Sequence, residues 1–497
     1  MNKAETLALF AQGKEAWNEW AGRMLAERKA LEEKGEWSEG WPKNDATEAW
    51  HCAARADFTG HCFTQEADFS AFVFLGEADF SPVESKNSAG KNIMIPTRFE
   101  MAAKFDEATF SEAARFVEAT FLGKAVFNEA TFSGHAAFDG ATFSGKAGFF
   151  KATFSEYTVF RGATFSGTAW FAEATFSGEV EFSGATFSRI AMFNVAKFSM
   201  AADFDEVTFS MSASFFKAAF SWCAGFQLTR FEGYTNFDQA RFEKVAGFVA
   251  IEGKSFFSLR RVTFKEAPEF EQAHFSEAPM LDASRFPDKA VPGTSPRWRA
   301  LKRLAVQGHD HEREQFFFAQ ELKSLRGETD WLLPRPWNLF RGAPVWQGGA
   351  RYWLGLGYQC FSDFGRSMAL PVVWWGVLTA FFALVYLGQH LPEKHLPYAP
   401  RLMVWQANGY TPPLECAEPQ STTPLASAIF LAFHRGSVAG LGGSEKIAQA
   451  YACLYGEERG APLIPDAVAF AGMAQTLLSA PLIFLFLLSV RNHFRIK

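Results

Sequence analysis

Phenylalanine recurs along this chain with a regularity that no ordinary globular domain needs. It stands at 105, 110, 116, 121, 127, 132, 138, 143, 149, 154 and 160, and it continues in that rhythm to Phe248. The gaps alternate between five and six residues, an eleven-residue period. Gly253 and Leu259 keep the register where phenylalanine lapses, and Phe264, Phe270, Phe275, Leu281 and Phe286 carry it on. Earlier, Phe58, Phe63, Phe69, Phe74 and Phe80 obey the same rule. An amphipathic helix needs apolar spacings of three and four, so this period excludes helix. A position two before each phenylalanine is small, as at Ala108, Ala119, Ala130 and Ala141. Residues two apart on an extended chain face one side, so alanine and phenylalanine point inward while Thr109, Thr120 and Thr131 point out. Ser133-Gly134 and Ser144-Gly145 read as corners, since glycine tolerates turns. Each unit is too short to bury its own ring, so neighbours must stack to make a core. Phe110, Phe121, Phe132, Phe143, Phe154, Phe165, Phe176 and Phe187 head the expected core.

The units ATFSG, ADFSP and ADFTG resemble the pentapeptide-repeat family in its phenylalanine-rich AxFxx form. The resemblance covers roughly half the chain and implies a mainly β fold, a right-handed quadrilateral β-helix. The extra residue in alternate units lengthens two of four corners, which predicts about 22 residues per coil and coils about 4.8 Å apart. Each buried phenylalanine contributes about 1.5–3 kcal/mol before entropy is charged.

The rod occupies residues 51–291, with residues 81–93 expected as a surface loop inserted into the stack. Residues 1–50 read as a helical N-terminal cap. Its Trp17-Asn18-Glu19-Trp20 resembles the WNxW element that precedes repeats in some members of the family. After Phe286, Pro287, Pro292 and Pro296 end the rod, and 292–330 reads as a linker carrying one amphipathic helix from Trp298 to Leu325. His309-Asp310-His311-Glu312 sits in it and reads as a solvated helix face.

Residues 331–497 read as a membrane domain. Spans are expected at about 368–388 and 467–490, each without an internal charge and long enough to cross about 30 Å of hydrocarbon. The alternative is a pair of core helices in a globular domain. Arg335, Arg341, Arg351 and Arg366 precede the first span, and Arg491, Arg495 and Lys497 follow the second. That flanking puts both termini and the solenoid in the cytoplasm of a bacterial inner membrane and the loop 389–466 outside. Pro424 to Phe433 is apolar but too short to span. Val438, Gly440, Leu441 and Gly442 follow it and resemble a degraded filter of two-span potassium-type channels. Such a filter works through backbone carbonyls, but valine stands where threonine belongs, leucine replaces tyrosine, and His434-Arg435 precedes it. The other reading of this stretch is a re-entrant or interfacial hairpin. Cys416 and Cys453 share the outer loop and form the candidate disulfide.

Composition narrows the function classes. Lysine plus arginine number 48 against 54 acids, a net charge of −6, which gives no sign of nucleic-acid binding. The N-terminus has no apolar run of signal-peptide kind. No P-loop, GxSxG, HExxH or zinc spacing occurs, so no enzyme, metal or cofactor is expected. What remains is a membrane-anchored scaffold for a protein partner, embedded in a lipid bilayer. The alternative is an oligomeric ion channel or transport component, a homo-tetramer with the solenoid as its regulatory domain.

Overall fold

In the computed structural model, the described residues are 1–38, 44–86, 92–328, 347–389, 424–437, 444–455, 457–458, 461–462 and 464–494. They divide into two compact units, Met1–Leu325 and Arg326–Lys497.

The first unit is a parallel four-sided β-solenoid. Two-residue strands build four faces of nine, ten, nine and nine strands. The first face starts at Ala56–Asp57, the second at Cys62–Phe63, the third at Ala67–Asp68 and the fourth at Val73–Phe74. Strand partners such as Thr109 with Thr131 and Ala125 with Ala147 are 22 residues apart, as the five-plus-six rhythm requires. Across residues 81–93 the partners are 36 apart, as in Val73 with Thr109, so 14 residues are inserted there. The insert is not a plain loop. Val83–Lys86 pairs antiparallel with Asn92–Ile95 as a hairpin, because its β-branched and aliphatic residues favour extended pairing.

Phenylalanine fills the rod in four columns. Within a column the rings stack face to face in consecutive coils, as Phe138, Phe160 and Phe182 do at 4.7 and 4.8 Å, tilted by 5° and 3°. Two of the columns meet edge-on across the middle, with Phe160 against Phe149 at 5.5 Å and Phe171 at 5.4 Å, near 85°. Those are the arrangements the ring quadrupole favours. The alanines two before the rings, from Ala103 to Ala246, are buried, so the small slot makes room for the large one. Where the rhythm lapses, the core rearranges. Phe257 enters the slot that alanine normally takes, and its ring lies 5.4 Å from Phe231 and 5.0 Å from Phe275. Gly253 has given up its own side chain there, and a Cβ on it would strike the Phe275 ring. Volume is conserved by exchanging large and small between two positions.

The corners divide into two kinds, and the glycines of Ser133-Gly134 and Ser144-Gly145 do not serve as anticipated. One kind is a four-residue turn closed from the Ala174 N–H to the Phe171 carbonyl at 3.2 Å, with Glu173 at φ 60°. Such a positive φ at the third residue marks a type II turn and suits glycine. Here it falls mostly on residues other than glycine, Glu most often, with glycine only at positions such as 140, 162 and 184. The Ser-Gly corner has no positive φ. Its glycines are needed for close approach, since a Cβ on Gly167 would fall onto the carbonyl of Gly145 in the coil before. Two opposite outcomes follow. Glu173→Gly should raise the unfolding free energy by about 0.5–1 kcal/mol by relieving left-handed strain. Gly167→Ala should lower it by about 1–3 kcal/mol, both read by chemical denaturation.

Both ends of the rod are closed by helices. At the start stand α1 (Lys3–Phe10), α2 (Lys14–Glu33) and α3 (Asp45–Ala54). Phe10 lies 4.4 Å from Phe69, continuing its column one step beyond the first coil. Trp17 is fully buried and donates from Nε1 to the Val73 carbonyl at 3.0 Å. Asn18 donates to the Ala71 carbonyl at 3.0 Å and accepts from the Val73 N–H at 3.1 Å. A single side chain thus supplies the hydrogen bonds of a missing strand.

The far end differs from expectation. Two helices, α4 (Ser295–Gln307) and α5 (His311–Glu328), replace the single linker helix. The chain breaks at Gly308 and His309, the latter at φ 53°. Asp310 then caps α5 by accepting from the Arg313 N–H at 3.1 Å. Trp298, Leu301 and Phe317 are fully buried and join the solenoid core, with Phe317 edge-on to Phe286 at 4.9 Å. Gln307 and Arg313 donate to the carbonyls of Phe275 and Ser284 in the last coils at 3.1 and 3.3 Å. These helices form a lid on the core because the final coil would otherwise expose unpaired backbone and apolar rings.

The second unit contains α6 (Gln347–Ser362), α7 (Ala369–Gly388), α8 (Pro424–Gly436), α9 (Ser444–Tyr455) and α10 (Asp466–Phe494). The turn from α6 to α7 uses positive φ at Asp363, Phe364 and Gly365. Glu457–Glu458 and Ala461–Pro462 pair as a small hairpin before α10.

Candidate functional site

Because both ends are occupied, the rod offers its long sides to other molecules. On each side the outward residues form columns one coil apart. The second face shows Thr142, Thr164 and Thr186, with Ser144, Ser166 and Ser188 two positions on. The fourth face shows Thr109, Thr131, Thr153 and Thr175. These β-branched hydroxyl ladders satisfy strand preference without charge.

The first face is acidic. Glu181, Asp203, Asp205 and Glu206 crowd two consecutive coils. Arg161 answers them in part, at 3.7 Å from Glu181 and 3.0 Å from Asp139. Tyr157 donates to Glu181 at 2.6 Å, a bond that pushes the phenol up to about 12. Partial burial first, then the Asp203 and Glu206 charges, push the Asp205 carboxyl up to about 6 against the pull of the Gln227 N–H. An acid held above its unfolded value binds its proton more readily when folded. Its cost to stability is therefore full at neutral pH and fades as pH falls through 6. Asp205→Asn keeps the oxygen that Gln227 uses. It should stabilise by about 1 kcal/mol at pH 7, once solvent screening is allowed for, and by almost nothing at pH 4. Denaturation midpoints at the two pH values check the sign.

Among the described residues of the second unit, α7 and α10 are the two helices long and apolar enough to cross a membrane, over Ala369–Gly388 and Asp466–His493. Only 22% of each apolar window is buried. Phe381 and Leu384 on α7, and Phe470, Leu477 and Phe484 on α10, point away from the protein. A core helix of a soluble domain would hide such side chains.

The short α8 packs against both long helices, and side chains satisfy its C-terminal carbonyls. Gln475 donates to the Ala432 carbonyl at 2.6 Å, Thr476 to Arg435 at 3.1 Å and Trp375 to Gly436 at 2.8 Å. Ser437 takes the last two, through its N–H to Phe433 at 2.9 Å and its hydroxyl to His434 at 3.0 Å. A helix end that finishes against apolar helices needs such donors, because its last carbonyls have no partner within the helix. Gly436 lets these side chains come close, since a Cβ would crowd Gln475, Trp375 and Thr379 at 3.2–3.3 Å. Among the described residues, the Arg435 guanidinium donates to the Tyr451 hydroxyl, at 3.0 Å. The sequence marked α8 as semi-apolar but carried no sign of Trp375 or Gln475 as its partners, because those side chains sit inside apolar runs.

Of the residues singled out from sequence, Phe110, Phe121, Phe132, Phe143, Phe154, Phe165, Phe176 and Phe187 are buried in the rod's columns. Val438, Gly440, Leu441 and Gly442 lie outside the described residues, directly after α8. Cys453 is disulfide-bonded, and Cys416 lies outside the described residues. Cys52, Cys62, Cys223 and Cys360 are free and exposed. His311 bonds Glu314 at 3.0 Å, and Asp310 serves as the α5 cap.

Residues 97–142 and 149–196 match the family model of pentapeptide repeats, in nine copies. No curated protein and no solved structure matches the chain significantly.

Proposed function

We propose that the chain, whose four-sided rod matches pentapeptide repeats over residues 97–142 and 149–196, is a membrane-anchored scaffold that offers flat solenoid sides to a protein partner. The carrying observation is the outward apolar surface of α7 and α10, left bare in a protein whose other core is closed at both ends. Bilayer hydrocarbon is the surrounding that surface fits. Basic residues outside both spans favour cytoplasmic termini and a cytoplasmic solenoid in a bacterial inner membrane. The bonded Cys453 beside four free cysteines elsewhere agrees with an outer loop in an oxidising compartment. In this reading the protein turns over no substrate and holds no cofactor.

A thiol reagent that cannot cross membranes tests the topology. Cys62 and Cys223 should react only after cells are opened, with the protein in the membrane fraction throughout. Labelling of both in intact cells would reverse the orientation, and recovery of the chain in the soluble fraction would end the proposal. The tetrameric-pore alternative predicts a fourfold mass in detergent and ion flux from reconstituted protein.

A further inference from the structure

The third face carries a different chemistry from its neighbours. Its outward column runs Gly148, Trp170, Met192 and Ser214. Trp170 is 41% exposed and its ring lies 5.4 Å from Phe150 at the adjoining corner. Phe216 occupies the equivalent corner three coils on. Lys151 and Lys217 each sit 5.1 Å over one of these phenylalanine rings. Lys124, Lys146, Arg189 and Lys217 stand exposed around the patch, without an ion pair among the described residues. On this face and its two corners between residues 122 and 217 the acids are Glu129 and Glu173, the former already engaged by Lys151 at 3.8 Å. Chain order around the coil places the first face, with its crowded carboxylates, on the opposite side. The rod is therefore electrically polar across its width.

We propose that the third face, between residues 122 and 217, docks on the headgroup surface of an anionic bilayer through Trp170, Phe150 and Phe216 ringed by Lys146, Arg189 and Lys217. The proposal rests on the reading that the chain is membrane-anchored, which keeps the rod close to lipid. Tryptophan and phenylalanine with a polar surround settle at headgroup depth. Lysines that lie along an aromatic face can extend their ammonium groups to phosphate while their stems stay on the ring. An anionic surface attracts this side and repels the acidic side, so one orientation is selected. A patch of exposed cations around a half-exposed Trp170 suits an array of phosphates better than the fixed groups of a protein.

The test uses the full chain in lipid nanodiscs with a fluorophore on one cysteine and spin-labelled lipid as quencher. Ser214→Cys reports the third face, and native Cys223 reports the first, each with the other exposed cysteines replaced. In discs containing phosphatidylglycerol the label at 214 should be quenched and the label at 223 should not. Quenching should vanish in discs of phosphatidylcholine alone, in about 1 M salt, where screening length falls to about 3 Å, and in Lys146→Glu/Lys217→Glu, whose fold circular dichroism checks. Absence of quenching at 214 in anionic discs, with the chain still embedded, overturns docking and leaves anchoring intact. Shielding of 214 that rises with protein concentration in neutral discs assigns the face to a second copy and also overturns it. If the chain does not embed at all, anchoring fails, and co-flotation with anionic vesicles then decides docking by itself.

Discussion

Replacing Phe160 with alanine should lower the unfolding free energy of the solenoid by about 3–5 kcal/mol, the cost of emptying a fully buried aromatic site. The position is severe for a structural reason. Phe160 is stacked on Phe138 and Phe182, edge-on to Phe149 and Phe171, and in wider contact with Phe154 and Phe165, so six ring contacts go at once. Two-residue strands cannot move independently to refill the space, because each is hydrogen-bonded to the coils on either side. Repeat arrays gain their stability from neighbour contacts. A break in mid-array should therefore also split one cooperative transition into two, seen as a biphasic denaturation curve by circular dichroism. Phe160→Leu should recover more than half of the loss, since it restores apolar volume without the ring contacts.

Trp17→Ala should cost a similar amount, about 3–5 kcal/mol, with a second consequence that the mid-rod change lacks. Trp17 is fully buried between the cap and the first coil and holds the Val73 carbonyl. Its loss loosens α2 and withdraws Asn18 from the Ala71 and Val73 backbone groups. The first coil then presents an open strand edge, a template for pairing with another chain. Light scattering should show association that grows with protein concentration for Trp17→Ala and stays low for Phe160→Ala at equal loss of stability.

Much of the solenoid could be read from sequence because its design repeats. One phenylalanine among many carries little information, but the alternating gaps from Phe105 to Phe248 fix coil length, inward faces and stacking order together. Trp17 was legible as a cap because it stands before the first unit in a recognisable element. The compensations were not legible. Gly253 looks like a fault in the pattern until Phe257 is seen in the neighbouring slot, and nothing local links a lost ring to one gained four residues later. Glu173 in a left-handed turn was hidden for the opposite reason, since glutamate has no preference for that conformation and is held there by the ladders on either side. The α4–α5 lid reads as a linker in the sequence because its proline-rich approach signals an ending, whereas Trp298 and Phe317 return to the core. In the second unit the long apolar runs announced themselves, but the docking of α8 by Gln475, Thr476 and Trp375 depends on side chains distant in sequence.

The anchoring of this rod is tested most directly by alkaline carbonate extraction of membranes, comparing the full chain with one ending at Leu325. The full chain should stay in the pellet, and the shortened chain should pass to the supernatant with its strand signal and cooperative melt intact. Recovery of the full chain in the supernatant would contradict the account, because α7 and α10 would then be shielded by protein and not by lipid.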